Sequence, residues 1–317
     1  MTQTAQLILV LGMHRSGTSA WARALRVLGA DLGARLLPPL PCNPKGFFED
    51  ADVYACNKEL LRLLGASWSH WPPPPALEQR RLAGGEAGAA ALALLREKCA
   101  ADAPVGLKDP RLSLLMPFWR PVLAAAGLRP HCLICLRSPQ SVAASLARRD
   151  ALGAEHSQAL WVAHTLGALT GSAGLPRMLA DYDALLRAPQ TALERLSLFL
   201  NRPVDAAERA AFCNDFLDAA LCHHRGEDAP SDPEGAPAPE GQAQNAAADP
   251  APWGALARRI YAALRSGPDN KPPAPFDDLE SPACARALGA WLATMRRLPP
   301  PPAGAPRPTA PPEGARP

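Results

Sequence analysis

The run GMHRSGTS over residues 12–19 puts two glycines, one guanidinium and three hydroxyls into eight positions, a set of groups suited to holding an anion. A phosphate loop of the form GxxxxGK[ST] would use Gly12, Gly17 and then a lysine, but Thr18 stands in the lysine position. Backbone alone still offers a site. If a helix starts here, the N–H groups of residues 15–19 have no intrahelical partner, and the helix dipole adds partial positive charge. The missing cation is available as Arg15, whose planar fork suits a terminal oxyanion, with His14, Ser16, Gly17, Thr18 and Ser19 around it.

A second group has the same chemistry. Arg137 follows an apolar run, Ser145 lies eight residues later and Arg149 twelve later. On a helix Ser141, Ser145 and Arg149 share one face, so this arginine–serine–arginine set can surround a second phosphate. Asp109, between Lys108 and Pro110, is the acidic residue a nucleotide kinase would need for Mg²⁺. His223, His224 and Arg225 adjoin Cys222 without a third spaced ligand, so they suit an adenine or phosphate contact better than a metal. Trp68, His70 and Trp71 are candidates for lining an acceptor cleft.

These groups need elements to position them. Residues 6–11 form a continuous apolar run ending in the glycine loop, as a buried parallel strand does, and a helix opens at Thr18 or Ser19 and stops near Gly29. Asp50 is placed to cap a helix running to about residue 64, and 78–100 reads as helix. Short strands are expected over 104–107, 131–136 and 177–182, with KDPRLS at 108–113 as a turn. Ser138 and Pro139 begin another helix, and further helices fall over 157–171 and 189–200. Strands alternating with helices predict an α/β protein with a parallel β-sheet flanked by helices, where ligands gather beyond the carboxyl ends of the strands.

The expected organisation is a core over 1–225, a disordered insert rich in Pro, Ala and Glu over 226–252, C-terminal helices over 253–298 packing on the core, and a disordered Pro-rich tail over 299–317. Both low-complexity segments have too little apolar surface to offset ordering entropy. A net charge of +3 over 317 residues gives no general attraction to nucleic acid. No apolar stretch reaches the length of a membrane span, and the start MTQTAQ lacks a secretory pattern, so a soluble, cytoplasmic protein is expected. Eight scattered cysteines suit reduced thiols, with Cys132 and Cys135 as buried strand residues.

Taken together the motifs resemble the sulfotransferases that use 3′-phosphoadenylyl sulfate. HRSGTS at residues 14–19 is similar to their 5′-phosphosulfate loop, and Arg137 with Ser145 matches their 3′-phosphate motif. The tyrosylprotein members look closer still, with Lys108-Asp109-Pro110 and Arg149 matched. NPKGFFED at 43–50 resembles a segment of bacterial members that begin GMHRSGTS, and ADYDALLRAP at 180–189 resembles the family's YEDL segment.

The resemblance implies a P-loop NTPase-like sulfotransferase fold, 3′-phosphoadenylyl sulfate as donor, adenosine 3′,5′-bisphosphate as product, and no required metal. It implies that Arg15 and Lys108 stabilise the transferring group, that Tyr182 contacts the nucleotide, and that a glutamate such as Glu49 is the general base. The aromatic neighbours Phe47 and Phe48 could desolvate Glu49, though it could instead cap the next helix. The threonine–histidine pair of the cytosolic small-molecule enzymes has no counterpart here. The acceptor would be a hydroxyl or amine on a glycan, peptide or small metabolite. Two alternatives stay open: a P-loop nucleotide kinase or NTPase with a variant loop, and a non-catalytic nucleotide-binding or scaffold protein.

Overall fold

The computed structural model describes residues 6–217, 251–266, 279 and 281–302. The expected insert falls outside the described residues apart from 251 and 252, as do His223, His224, Arg225 and all of the tail beyond residue 302.

Four strands form one parallel sheet in the order β2-β1-β3-β4, with β1 at Leu7–Gly12, β2 at Val105–Lys108, β3 at His131–Leu136 and β4 at Arg177–Asp181. The strands are apolar throughout because both faces are covered. Along β1, Leu7, Leu9 and Leu11 enter one core, and Ile8 and Val10 enter the other. Along β3, Cys132 and Ile134 go one way and Leu133 and Cys135 the other, so both thiols are buried hydrophobes whose acidity burial suppresses.

Helix α1 (Thr18–Arg26) covers the second core together with the later α9 (Pro189–Leu200). Between β1 and β2 come α2 (Ala51–Leu63), α3 (Ala76–Ala83) and α4 (Glu86–Lys98). The single helix expected over 78–100 is therefore two, divided at Gly84 and Gly85. These end one helix and start the next, since glycine gives little resistance to leaving helical backbone. Helix α5 (Leu112–Ala125) follows β2 at once, where the sequence suggested only a turn. It contains Pro117 and Pro121, which obscure its helical pattern, yet it forms because Leu115, Met116, Phe118, Trp119 and Val122 are buried in the first core.

Helices α6 (Pro139–Asp150) and α7 (Ala154–Gly171) link β3 to β4, and Ser138 caps α6 with Pro139 inside the first turn, as its sequence indicates. The backbone of α7 meets α5 at Gly167, where a Cβ would lie 2.4 Å from the Ser113 carbonyl oxygen. After β4 come α8 (Tyr182–Arg187), α9, α10 (Ala206–Ala211) and a π-helical turn over Phe212–Phe216. Two C-terminal helices, α11 (Pro252–Ser266) and α12 (Pro282–Arg297), contribute Trp253, Ile260 and Trp291 to the first core. Trp253 also donates to the Pro299 carbonyl oxygen at 3.0 Å. No described helix is long and apolar enough to cross a membrane.

Parallel strands place every carboxyl end on one edge of the sheet. Gly12, Lys108, Leu136 and Asp181 end the four strands, so the loop after Gly12, the Lys108 side chain, Arg137 and Tyr182 all emerge there.

Candidate active site

The loop over 12–17 is built to stay close to its neighbours. Gly12 has φ 138°, and a Cβ there would sit 2.8 Å from the Cys135 carbonyl oxygen. Gly17, the N-cap of α1, has φ 81°, and a Cβ would lie 2.3 Å from the Tyr182 ring. Arg15 itself adopts a left-handed backbone at φ 69°. Such strain in a non-glycine residue persists only where surroundings hold it.

Three bonds hold Arg15. Its Nε donates to Ser145 Oγ at 2.7 Å and its Nη1 to the Cys42 carbonyl oxygen at 3.2 Å, while its own carbonyl oxygen accepts from Arg137 Nη1 at 3.1 Å. The two sequence motifs, 130 residues apart at Arg15 and Ser145, are thus one assembly. Arg137 also lies over the Tyr182 ring, 5.1 Å from its centroid. Burial, then the neighbouring guanidiniums of Arg149 and Arg137, lower the proton affinity of Arg15.

The pattern of unmet hydrogen bonding matches. Ser16 Oγ, Arg137 Nε and His14 Nε2 are buried without a hydrogen-bond partner among the described residues. Buried polar groups are ordinarily satisfied, so donors left over beside crowded cations fit an anionic ligand. Thr18 and Ser145 are buried in the same place, and Ser19 Oγ donates to the Phe47 carbonyl oxygen at 3.2 Å.

Glu49 and Lys108 meet across the cleft. Lys108 Nζ lies 2.5 Å from Glu49 Oε1 and donates to the Phe47 carbonyl oxygen at 3.1 Å. Both side chains are almost wholly buried, Glu49 at 4% exposure and Lys108 at 3%. Burial pushes the Glu49 carboxyl above the ordinary carboxylate range, with Lys108 pulling the other way and Asp109 reinforcing the rise. Capping of α2 falls to Asp50, which accepts from Asp52 N and Val53 N and pairs with Lys98 at 2.8 Å, leaving Glu49 out of that role.

Asp109 is committed elsewhere. Its Oδ2 accepts from Asn57 Nδ2 at 3.0 Å, and its Oδ1 takes both the backbone N–H and Nη1 of Arg111, each at 2.9 Å. With both oxygens occupied and none of the side chain exposed, it is not disposed as a kinase metal ligand. Among the described residues no three His, Cys, Asp or Glu side chains converge as a metal-binding group.

His14 packs against Trp68 with ring centroids 4.3 Å apart and planes tilted by 49°, and Arg149 lies over the Trp68 ring, 5.5 Å from its centroid. Arg149 also pairs with Asp150 at 2.6 Å. Burial holds the His14 ring well below its ordinary proton affinity, with the cations Arg111 and Arg149 adding to the effect. Trp68 lines the cleft, whereas Trp71 packs edge-on against Trp253 at 4.6 Å, outside the lining, and His70 is exposed away from it.

Arg15, Glu49, Trp68, Lys108, Arg111, Arg137, Arg149 and Tyr182 border one cleft of about 1430 Å³. Eight basic side chains line it against three carboxylates: Arg15, Lys45, Lys58, Arg62, Lys108, Arg111, Arg137 and Arg149 against Glu49, Glu59 and Asp150. A chain with little net charge therefore concentrates positive potential at one place. Local spacing carries no signal for Arg111 or for the Cys42 carbonyl, although the Arg is three residues after Lys108 in the short step from strand to helix.

No family model matches this chain, and no curated protein matches it. Among solved structures it is similar to the sulfotransferase domain from the curacin biosynthetic pathway, at 20% identity and TM-score 0.42, over 67% of this chain and 78% of that one. The sulfotransferase domain of the Synechococcus PCC 7002 olefin synthase is similar at 16% identity and TM-score 0.41, over 70% and 84% of the two chains. A sulfotransferase from Mycobacterium avium is similar at 17% identity and TM-score 0.37, over 71% and 69%.

Proposed function

We propose that this chain is a sulfotransferase that moves the sulfuryl group of 3′-phosphoadenylyl sulfate to an acceptor hydroxyl or amine. The observation that carries the reading is the 2.7 Å bond from Arg15 to Ser145, which joins two anion-binding elements into a single grip. A donor with phosphate groups at both its 3′ and 5′ positions needs two such elements at one cleft. A nucleoside triphosphate, whose phosphates run in one chain, leaves Arg137, Ser145 and Arg149 without a purpose.

In this reading the α1 N-terminus, Ser16, Thr18 and Arg15 hold the 5′ end, and Arg137, Ser145 and Arg149 hold the 3′-phosphate, with Tyr182 against the nucleotide. When bound, the donor supplies the activated sulfuryl group. Arg15 and Lys108 stabilise negative charge on the transferring group and leaving oxygen, since alignment and electrostatics dominate such transfers. Glu49 takes the acceptor proton. Burial raises its carboxyl above the ordinary carboxylate range, the direction a general base needs, and the Lys108 contact opposes that rise. A core over 1–225 carrying this site, with 253–298 as packed helices, completes the proposal.

Isothermal calorimetry with adenosine 3′,5′-bisphosphate tests the donor site, and transfer of labelled sulfate to a panel of glycans, peptides, lipids and phenols tests the reaction. Binding and transfer are expected without added metal. Absence of bisphosphate binding refutes the reading, and Mg²⁺-dependent ATP or GTP turnover in its place supports the kinase alternative.

A further inference from the structure

The structure assigns Arg111 as a positioning residue that holds the Oε2 edge of the Glu49 carboxylate while Lys108 holds Oε1, so the carboxylate keeps one orientation in the cleft. This rests on the proposed role of Glu49 as base.

The argument begins away from the cleft. Trp119, on α5, donates its indole N–H to Asn57 Oδ1 at 2.8 Å, and Asn57 Nδ2, on α2, donates to Asp109 Oδ2 at 3.0 Å. Asp109 then fixes Arg111 through two bonds at 2.9 Å, and the guanidinium lies over the Tyr54 ring, 4.7 Å from its centroid. Only after these contacts does Arg111 Nη1 face Glu49 Oε2, at 3.8 Å. Trp119, Asn57, Asp109, Arg111 and Glu49 are all buried, so each polar group costs free energy unless its partner is in place, and the chain admits few other arrangements.

A guanidinium serving only to anchor a loop would be satisfied by Asp109. Arg111 also lines the cleft and completes a cationic bracket around the carboxylate, with Lys108 on one oxygen and the Arg on the other. Lysine cannot reproduce a planar fork that engages Asp109 and turns an edge to Glu49. The charged groups that act on Glu49 are Lys108 from β2, and Asp109 and Arg111 from the step between β2 and α5; Asp50 beside it is paired with Lys98.

The two neighbours act on Glu49 with opposite sign, Arg111 favouring the carboxylate and Asp109 disfavouring it. A Glu49 midpoint that rises when Arg111 is removed separates its action on the base from a merely structural role. The test measures the acid limb of kcat/KM against pH, and the Glu49 titration midpoint by ¹³C-carboxyl NMR, assigned with Glu49→Gln, in the full chain. Arg111→Met is expected to raise both by about one pH unit and lower kcat about tenfold, with donor KM within about twofold. Arg111→Lys, which keeps the charge without the planar fork, is expected to hold the midpoint nearer wild type while kcat stays low.

No shift or a downward shift in Arg111→Met, or a wild-type kcat in Arg111→Lys, overturns the assignment. If Arg111→Met does not fold, Arg111→Gln decides in its place, and an unmoved or lowered Glu49 midpoint overturns the assignment. Wild-type protein that transfers no sulfuryl group refutes the proposed function, while the NMR midpoints still decide whether Arg111 holds Glu49.

Discussion

Replacing Ser145 with alanine removes one hydroxyl and breaks the bond that ties the two halves of the grip. Ser145 Oγ is buried and accepts from Arg15 Nε at 2.7 Å, so the loss is that of a hydrogen bond to a charged group. Such bonds contribute about 1.5–3 kcal/mol, equivalent to roughly a 10- to 150-fold weakening of adenosine 3′,5′-bisphosphate binding. Arg15→Lys keeps the charge but lacks the Nε donor, so it loses the same bond. If that bond organises the site, the double variant loses it once, and the two effects fall short of additivity by about 1 kcal/mol or more. Calorimetric titration of wild type, both single variants and the double variant closes the cycle. Additivity within about 0.5 kcal/mol would refute the coupling, because sites without a shared partner behave that way.

Glu49→Gln should lower the transfer rate by about 10²- to 10⁴-fold while bisphosphate affinity changes little, measured by single-turnover transfer and calorimetry side by side. Gly17→Ala forces a Cβ to within 2.3 Å of the Tyr182 ring at φ 81°; about 2 kcal/mol of lost stability is expected, seen as a lower Tm together with weaker donor binding. His164 is wholly buried, donates from Nδ1 to the Leu160 carbonyl oxygen at 2.8 Å, and has its proton affinity pushed down to about 4 by burial. Because its folded pKa lies below the ordinary 6.5, the stability it contributes is present above that value and lost as pH falls towards 4. Urea unfolding of wild type should lose about 2 kcal/mol more than His164→Asn between about pH 7.5 and pH 5, and equal pH dependence in the two would refute it.

Much of the architecture was legible because it depends on local pattern. Continuous apolar runs marked the strands, Asp50 and Ser138 marked helix starts, and the glycine loop marked a strand-to-helix turn. Helix α5 was not legible, because Pro117 and Pro121 argue against helix locally and only burial of its apolar face overrules them. The break at Gly84 and Gly85 was obscured by strong helix formers on either side.

For the site, the sequence by itself determined which groups exist and at which strand ends they fall: Arg15, Lys108, Arg137 and Tyr182. It could not determine which groups meet. The partnership of Glu49 with Lys108 spans 59 residues, and that of Arg15 with Ser145 spans 130. Hydrophobic periodicity acts over a few turns of chain, whereas ion pairs and desolvation depend on distances fixed only when the sheet and its helices pack. Tertiary structure alone committed Asp109 to Asn57 and Arg111, brought Glu49 against Lys108, and gathered eight basic side chains around one cleft in a chain of small net charge.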